Sequence, residues 1–237
     1  MKNNRINFWM AAFFCLAGIL IGTAGAYAFM KYNAGNTAQT NITADQKTQP
    51  QEEKAKKYSF DFDGFLVLGN NSADVTVVEF ADYQCPACGF FSNSTFGDLK
   101  TKYIDTGKIK FVFKDFPLFS IHPQSEMASE AAHCASDQEK YFEMHEMLFK
   151  RVKEWSGNSK AEAVFNNFAK ELKLDTKQFS DCMKTNKYKE KILASVKEAL
   201  NAEAEGTPTF YINGEKTFFG AYPIESFDAA LAKLGIK

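Results

Sequence analysis

One stretch of the chain limits the possible folds more than any other: a strand pattern, two closely spaced cysteines and a helix pattern in direct succession. Val75-Thr76-Val77-Val78-Glu79-Phe80 is β-branched and continuous rather than alternating, which predicts a strand covered on both faces. Phe90 to about Tyr103 reads as a helix, so Cys85-Pro86-Ala87-Cys88 falls at a strand-to-helix turn. A second strand pattern comes next at Ile109-Lys110-Phe111-Val112-Phe113. Strand, helix, strand predicts a parallel pair joined by a right-handed crossover, and such a pair needs helices on its faces.

The remainder divides by periodicity. From about Gln124 to Glu203 the apolar spacing is helical: Met127, Ala131, Cys134 and Ala135 share one face, and Tyr141, His145, Leu148 and Phe149 another. Val164, Phe165, Phe168 and Leu172 mark a third helix. Asp175 can N-cap a short one through Phe179 and Met183, and Tyr188, Ile192, Val196, Ala199 and Leu200 mark a longer one. Strands return at Thr209–Ile212 and Thr217–Phe219 around Asn213-Gly214, a strong hairpin signal, and a last helix spans about Ile224 to Leu234. An α/β sheet carrying a helical subdomain, inserted at about 122–203, is therefore expected.

The N-terminus has a different composition. Phe8 to Met30 is uncharged and mostly apolar, about the length a helix needs to cross a bilayer, and Lys2 and Arg5 precede it. That charge placement favours a cytoplasmic N-terminus and an exported remainder. Residues 1–31 thus read as a transmembrane anchor; a cleaved signal peptide is the alternative, because Ala26-Tyr27-Ala28 has the form of a cleavage site. Cys15 inside the run reads as a small membrane-buried residue. Residues 32–57 are polar, with Ile42 the one large aliphatic side chain, and read as a flexible linker; residues 58–237 form one domain. With 28 basic and 29 acidic residues, nothing in the charge points to nucleic acid.

Export decides how the cysteines are read, since disulfides persist outside the cytoplasm. Cys85, at the first turn of its helix, would meet unpaired backbone amides and the positive end of the dipole, which favour a thiolate. Cys88, one turn in, is near enough to pair with it and better shielded. Pro86 suits an early helix position because its missing N–H has no partner there. On spacing alone the pair could also be half a zinc site or an inert disulfide, but there is no second C-x-x-C, and the strand-turn-helix placement suits redox chemistry. Cys134 and Cys182 lie on apolar helical faces, either as two buried thiols or as a bonded pair, and export favours pairing. His122, His133 and His145 are scattered, and His145 reads as a packing residue; no metal or cofactor is assigned.

Val77-Val78-Glu79-Phe80-Ala81-Asp82-Tyr83-Gln84-Cys85-Pro86-Ala87-Cys88, the later Gly206-Thr207-Pro208-Thr209-Phe210 and the helical insertion together resemble the DsbA-like thiol-disulfide oxidoreductases, over about residues 58 to 237. The resemblance implies a thioredoxin-like fold of the membrane-anchored or secreted bacterial type. By it, Pro208 is a cis-proline facing the cysteines, Thr207 offers backbone groups to a substrate, and Glu79 is the acid beneath the active site; from the residues alone, Lys108 or Lys110 is its candidate partner. It also implies that a second disulfide, Cys134 to Cys182, is of a kind some members carry. Ala87 departs from the His of the best-known members, which removes one source of thiolate stabilisation and predicts a less strongly oxidising pair.

The expected protein is an exported dithiol oxidase acting on clients with free or mispaired cysteines, reoxidised by a DsbB-like or VKOR-like membrane partner. A disulfide reductase or isomerase using the same residues, a copper-binding module of this fold and a scaffold with inert disulfides are the alternatives.

Overall fold

The computed structural model describes residues 56–237. The expected anchor or signal at 1–31 lies outside the described residues, as does the linker apart from Lys56 and Lys57. Among the described residues, no helix is long and apolar enough to cross a membrane.

Five strands form one sheet: β1 (Leu66–Gly69), β2 (Val75–Ala81), β3 (Ile109–Asp115), β4 (Thr209–Ile212) and β5 (Glu215–Phe219), in the order β1-β3-β2-β4-β5. β2 and β3 are parallel, as the strand-helix-strand order requires, and the other pairs are antiparallel. Of the seven residues of β2, all but Thr76 are buried, so the continuous apolar run does mark a central strand. β1 escapes detection from sequence because it is a four-residue edge strand too short to display a period.

The helix after the cysteines begins at Pro86 and breaks at Ser94, giving α1 (Pro86–Asn93) and α2 (Thr95–Leu99), which runs into a π-helical turn at Lys100–Ile104. The break has a local cause: Asn93 Nδ2 and Ser94 Oγ donate to the carbonyls of Gly89 and Phe90, at 2.7 and 2.6 Å, competing with the backbone ladder. Between β3 and β4 run α3 (Ser125–Ser136), α4 (Tyr141–Lys150), α5 (Val152–Trp155), α6 (Ala161–Glu171), α7 (Thr176–Thr185) and α8 (Lys189–Asn201); α9 (Ile224–Ala232) closes the chain. Asp175 caps α7 as expected, accepting from the amides of Lys177 and Gln178. Met127 and Leu200 turn outward, contrary to their assigned faces; Ala128 and Ala199 take the core positions beside them.

One face of the sheet, with Val75, Val77, Phe111 and Phe113, packs under the helices in a core that includes Phe91, Phe149 and Phe210. The other face carries Val78, Phe80, Val112 and Tyr211 against Phe60, Phe116 and Ala199. Truncating a fully buried ring such as Phe113 to Ala would cost about 3–5 kcal/mol. The β4–β5 turn uses Asn213 and Gly214, both at positive φ (49° and 83°), as a two-residue hairpin demands. Gly214 is needed twice over, because a Cβ there would stand 2.2 Å from the Tyr58 carbonyl oxygen. The amide of Tyr58 donates to Gly214 O at 2.9 Å, so the N-terminal segment joins the domain at this turn.

Candidate active site

Cys85 is the N-cap residue of α1, extended at φ −69° and ψ 122°, with Pro86 in the first turn. The Gly89 amide donates to Cys85 O at 3.0 Å and starts the helix. This fixes the sulfur over the first free amides. Cys85 is 8% exposed and Cys88 is 0% exposed, so the first sulfur is less open than its place in the sequence suggests, yet it remains the outer one.

The two thiols are driven apart in acidity. Cys85 is lowered to about 6: the Cys88 thiol donating to it is the largest cause, burial opposes, and the amides of Cys88 and Ala87 add to the lowering. The Thr207 carbonyl accepts from the protonated thiol at 3.2 Å and so favours the other form. The donors outweigh it. Cys88 is pushed well above the usual thiol range by burial, by donating to Cys85 and by the fields of Cys85 and Glu79, with the Asp82 amide opposing. The helix terminus therefore contributes less than the partner cysteine does.

The Thr207–Pro208 peptide bond is cis, and it leads into β4 beside Cys85. Glu79, 3% exposed, faces Phe113 on β3 and Phe210 on β4; burial, and then the field of Cys85, raise its carboxyl well above the usual range. Neither expected lysine reaches it. Lys108 Nζ lies over the Tyr103 ring and Lys110 Nζ over Phe62, because Lys110 sits at an even-numbered position of β3 and points to the opposite face from Glu79's neighbour Phe113. Ala87 is half-buried against the core and brings no charge to the pair.

Cys134 on α3 and Cys182 on α7 are bonded, with Cα atoms 5.8 Å apart. This second pair is buried and lies apart from the first.

Three residues with no role expected from the sequence hold the turn before Cys85. Asp82, fully buried, accepts from the Gln84 amide (2.7 Å) and Ser125 Oγ (2.6 Å) at one oxygen; the other takes the Leu118 amide (2.8 Å) and faces His122 Nδ1 (2.8 Å). Tyr83 Oη meets His145 Nδ1 at 3.0 Å. Gln84 donates to Ser156 Oγ at 2.8 Å and accepts from the Gln124 amide at 2.6 Å. Consecutive polar residues between a strand and a C-x-x-C were the available signal, since a buried turn must find partners for such groups. The three histidines are thereby placed: His122 on Asp82, His145 on Tyr83, and His133 on Asp115 at 2.7 Å.

A groove of about 520 Å³ opens beside Cys85, lined by Tyr83, Pro86, Phe90, Phe149 and Val152 among others, and Phe90 is 61% exposed. A nucleophilic thiolate at the rim of an apolar groove, with a buried partner thiol behind it, is an arrangement for sulfur exchange with a peptide.

Comparison with known proteins agrees. The family described as Thioredoxin matches residues 63–233. A Bacillus anthracis protein named "Probable disulfide bond formation protein D" is 30% identical over 149 residues, covering 62% of this chain and 69% of that protein. The crystal structure of Wolbachia pipientis alpha-DsbA1 is 27% identical with a TM-score of 0.62, over 71% of this chain and 89% of that one. Oxidised BdbD from Bacillus subtilis, at 23% identity, shares the fold with a TM-score of 0.67 over 76% and 97% of the two chains. The chain belongs to the DsbA-like thiol-disulfide oxidoreductases of the thioredoxin family.

Proposed function

We propose that Cys85 and Cys88 are the exchanging pair and that the protein is a dithiol oxidase for exported proteins. The observation that carries this reading is the asymmetry of the pair: an outer sulfur with a pKa lowered to about 6, at a groove, and an inner one sealed from solvent and raised. Stabilising the Cys85 thiolate stabilises the reduced protein and so makes the disulfide more oxidising.

A client thiolate attacks Cys85 Sγ, the Cys85–Cys88 bond breaks and Cys88 leaves with the electron pair. Glu79, protonated because of its burial, supplies the proton that Cys88 needs. The mixed disulfide lies beside Thr207 and Pro208, whose backbone receives the extended client segment, and Pro86 and Ala87 complete the rim. A second client thiolate then releases Cys85 as a thiolate. The reduced pair is reoxidised by a quinone-linked membrane protein of the DsbB-like or VKOR-like kind. The apolar segment at 8–30 delivers the domain to the far side of the membrane and either anchors it there or is cleaved after Ala28. The Cys134–Cys182 bond is structural.

The experiment is capture with Cys88→Ala. The variant should accumulate mixed disulfides through Cys85 with reduced, unfolded clients, and the wild-type pair should have a potential well above about −270 mV, the thioredoxin value. No trapped client overturns the exchanging pair. A potential at the thioredoxin value overturns the oxidase direction and supports the reductase reading that Ala87, with no imidazole at its position, favours.

A further inference from the structure

The turn that carries the cysteines is fastened at one residue that the exchange steps leave unused. β2 and β3 run parallel as far as Ala81 and Asp115, and just beyond, the Phe116 amide donates to Ala81 O at 2.8 Å. Past that bond the two chains part, one toward Cys85 and α1, the other through residues 116–124 to α3. Diverging strand ends lose their ladder partners, and their buried backbone groups must be satisfied in another way. The Asp82 side chain, 0% exposed, fills the fork.

Oδ1 of Asp82 accepts from the Gln84 amide at 2.7 Å and from Ser125 Oγ at 2.6 Å, so it binds its own turn and the start of α3 together. Oδ2 accepts from the Leu118 amide at 2.8 Å and meets His122 Nδ1 at 2.8 Å. Leu118 and His122 are the two ends of one closed turn, since the His122 amide donates to Leu118 O at 2.9 Å. A carboxylate offers about four acceptor positions, and four partners occupy them here.

The backbone of the same residue reaches the cysteines. Asp82 O accepts from the Cys85 amide at 3.1 Å and closes the turn Asp82–Cys85, while the Asp82 amide is directed at the Cys88 sulfur. The bond from the Gln84 amide to Oδ1 is an Asx turn, which favours this local conformation. The main chain of Asp82 thus holds the cysteine turn, and its side chain ties that turn to Leu118, His122 and Ser125 on the neighbouring chain.

We propose that Asp82 is a positioning residue of the exchange site, and that the segment between β3 and α3, through Leu118, His122 and Ser125, holds the Cys85–Cys88 turn in its reactive geometry by way of this carboxylate. The inference rests on the reading of Cys85 and Cys88 as the exchanging pair. Asp82 acts through its two backbone groups. When an attacking thiolate bonds to Cys85 Sγ, the Cys85–Cys88 bond breaks and its electron pair goes to Cys88, where the Asp82 amide is a donor to the leaving sulfur. A leaving thiol of lower pKa departs faster. Held at Asp82 O, Cys85 keeps its sulfur within reach of the Ala87 and Cys88 amides.

Substitutions separate the contacts. Alanine removes all four. Asparagine keeps the shape but carries an NH2 group in place of one oxygen; at the Oδ1 position it opposes the Gln84 N–H, and at Oδ2 the Leu118 N–H. Ser125 Oγ and His122 Nδ1 can each turn a lone pair toward it, but a backbone amide cannot. His122→Ala takes away one partner and leaves both contacts of Oδ1 in place.

The test is single-turnover reduction of the oxidised full chain by dithiothreitol, with the glutathione equilibrium, the thiolate absorbance of the reduced protein and the urea midpoint read on the same variants. Asp82→Ala should slow reduction about tenfold. It should also move the glutathione equilibrium about tenfold toward the protein disulfide, about 30 mV less oxidising. The Cys85 titration should rise above its wild-type value near 6. Asp82→Asn and His122→Ala should shift all three readings in the same direction by about threefold. Wild-type rate, equilibrium and titration in Asp82→Ala overturn the proposal and leave the exchanging pair standing. A lowered urea midpoint with those three readings unchanged overturns it too, since the residue then serves the fold alone. A wild-type pair that dithiothreitol does not reduce overturns the exchanging pair along with it. If Asp82→Ala fails to fold, Asp82→Asn and His122→Ala decide by the same readings, and wild-type values in both overturn the proposal.

Discussion

Cys85 with Cys88 and Cys134 with Cys182 are identical chemical groups in two surroundings. The first pair lies at the start of one helix, where the outer sulfur receives the Cys88 thiol and two amides, and the inner one is buried. The second joins α3 to α7 across 48 residues in the buried interior, with Glu130 Oε1 3.9 Å from Cys134 Sγ. Chain entropy separates them as well: a loop of that length stabilises the fold by about 4 kcal/mol, against about 2 kcal/mol for the four-residue loop of C-x-x-C. Donors at one sulfur and concealment of the other make a pair reactive, while distance in sequence makes a pair stabilising.

The comparison breaks most clearly if the roles can be exchanged. Cys85→Ser should abolish disulfide exchange with insulin or dithiothreitol and lose no more than about 2 kcal/mol of unfolding free energy in a urea titration. Cys134→Ala with Cys182→Ala should retain exchange and lose about 4 kcal/mol of unfolding free energy in the same titration. Loss of exchange in the double variant would mean that the inserted pair takes part in the chemistry.

A smaller effect is expected at Glu79. Glu79→Gln keeps the shape and removes the proton, and should slow reduction of the pair about tenfold. It should also change how stability depends on pH. The folded carboxyl is raised above its unfolded value, so its contribution is full below about 4.5 and is lost as pH rises through the folded value. Urea midpoints of the wild type should therefore decline over that window, and those of Glu79→Gln should decline less.

The smallest effect is in the reduced protein alone. Ultraviolet thiolate absorbance should titrate near pH 6 for Cys85, with no second transition until well above the usual thiol range. Because the folded value is depressed below the ordinary 9, its contribution is present above pH 9 and lost as pH falls through 6. The oxidised protein, which has no thiolate, should lack this dependence. Two overlapping titrations near neutrality would remove the asymmetry on which the comparison stands.

The parts of the molecule that obey a period were legible in advance. β2 and β3 are buried on both faces and read as strands rich in β-branched and aromatic residues, Asp175 carries its own capping signal, and Asn213-Gly214 has one preferred turn. Cys85 and Cys88 stood out because their spacing is chemically restrictive. Long-range partnerships were not legible. The Asp82 carboxylate gathers groups from residues 84, 118, 122 and 125, and nothing in its neighbours along the chain predicts that set. Lys114 reads as one more strand lysine, yet it is buried between the Phe65 ring, the Asp61 carbonyl and Glu198, because even-numbered positions of β3 face the N-terminal segment and α8. Glu79 failed to find Lys110 by the same alternation, which the sequence could have supplied had the parity of the two strands been compared.

The bond between Tyr58 and Gly214 has a practical consequence. It ties the upstream chain to the turn at the start of β2, whereas Cys85 lies beyond that strand's end, roughly 20 Å away along the sheet. A resin or an electrode coupled at Lys56 or Lys57 therefore holds the domain at the end of the sheet away from Cys85, which makes these lysines the ones to use for immobilising the protein as a working catalyst.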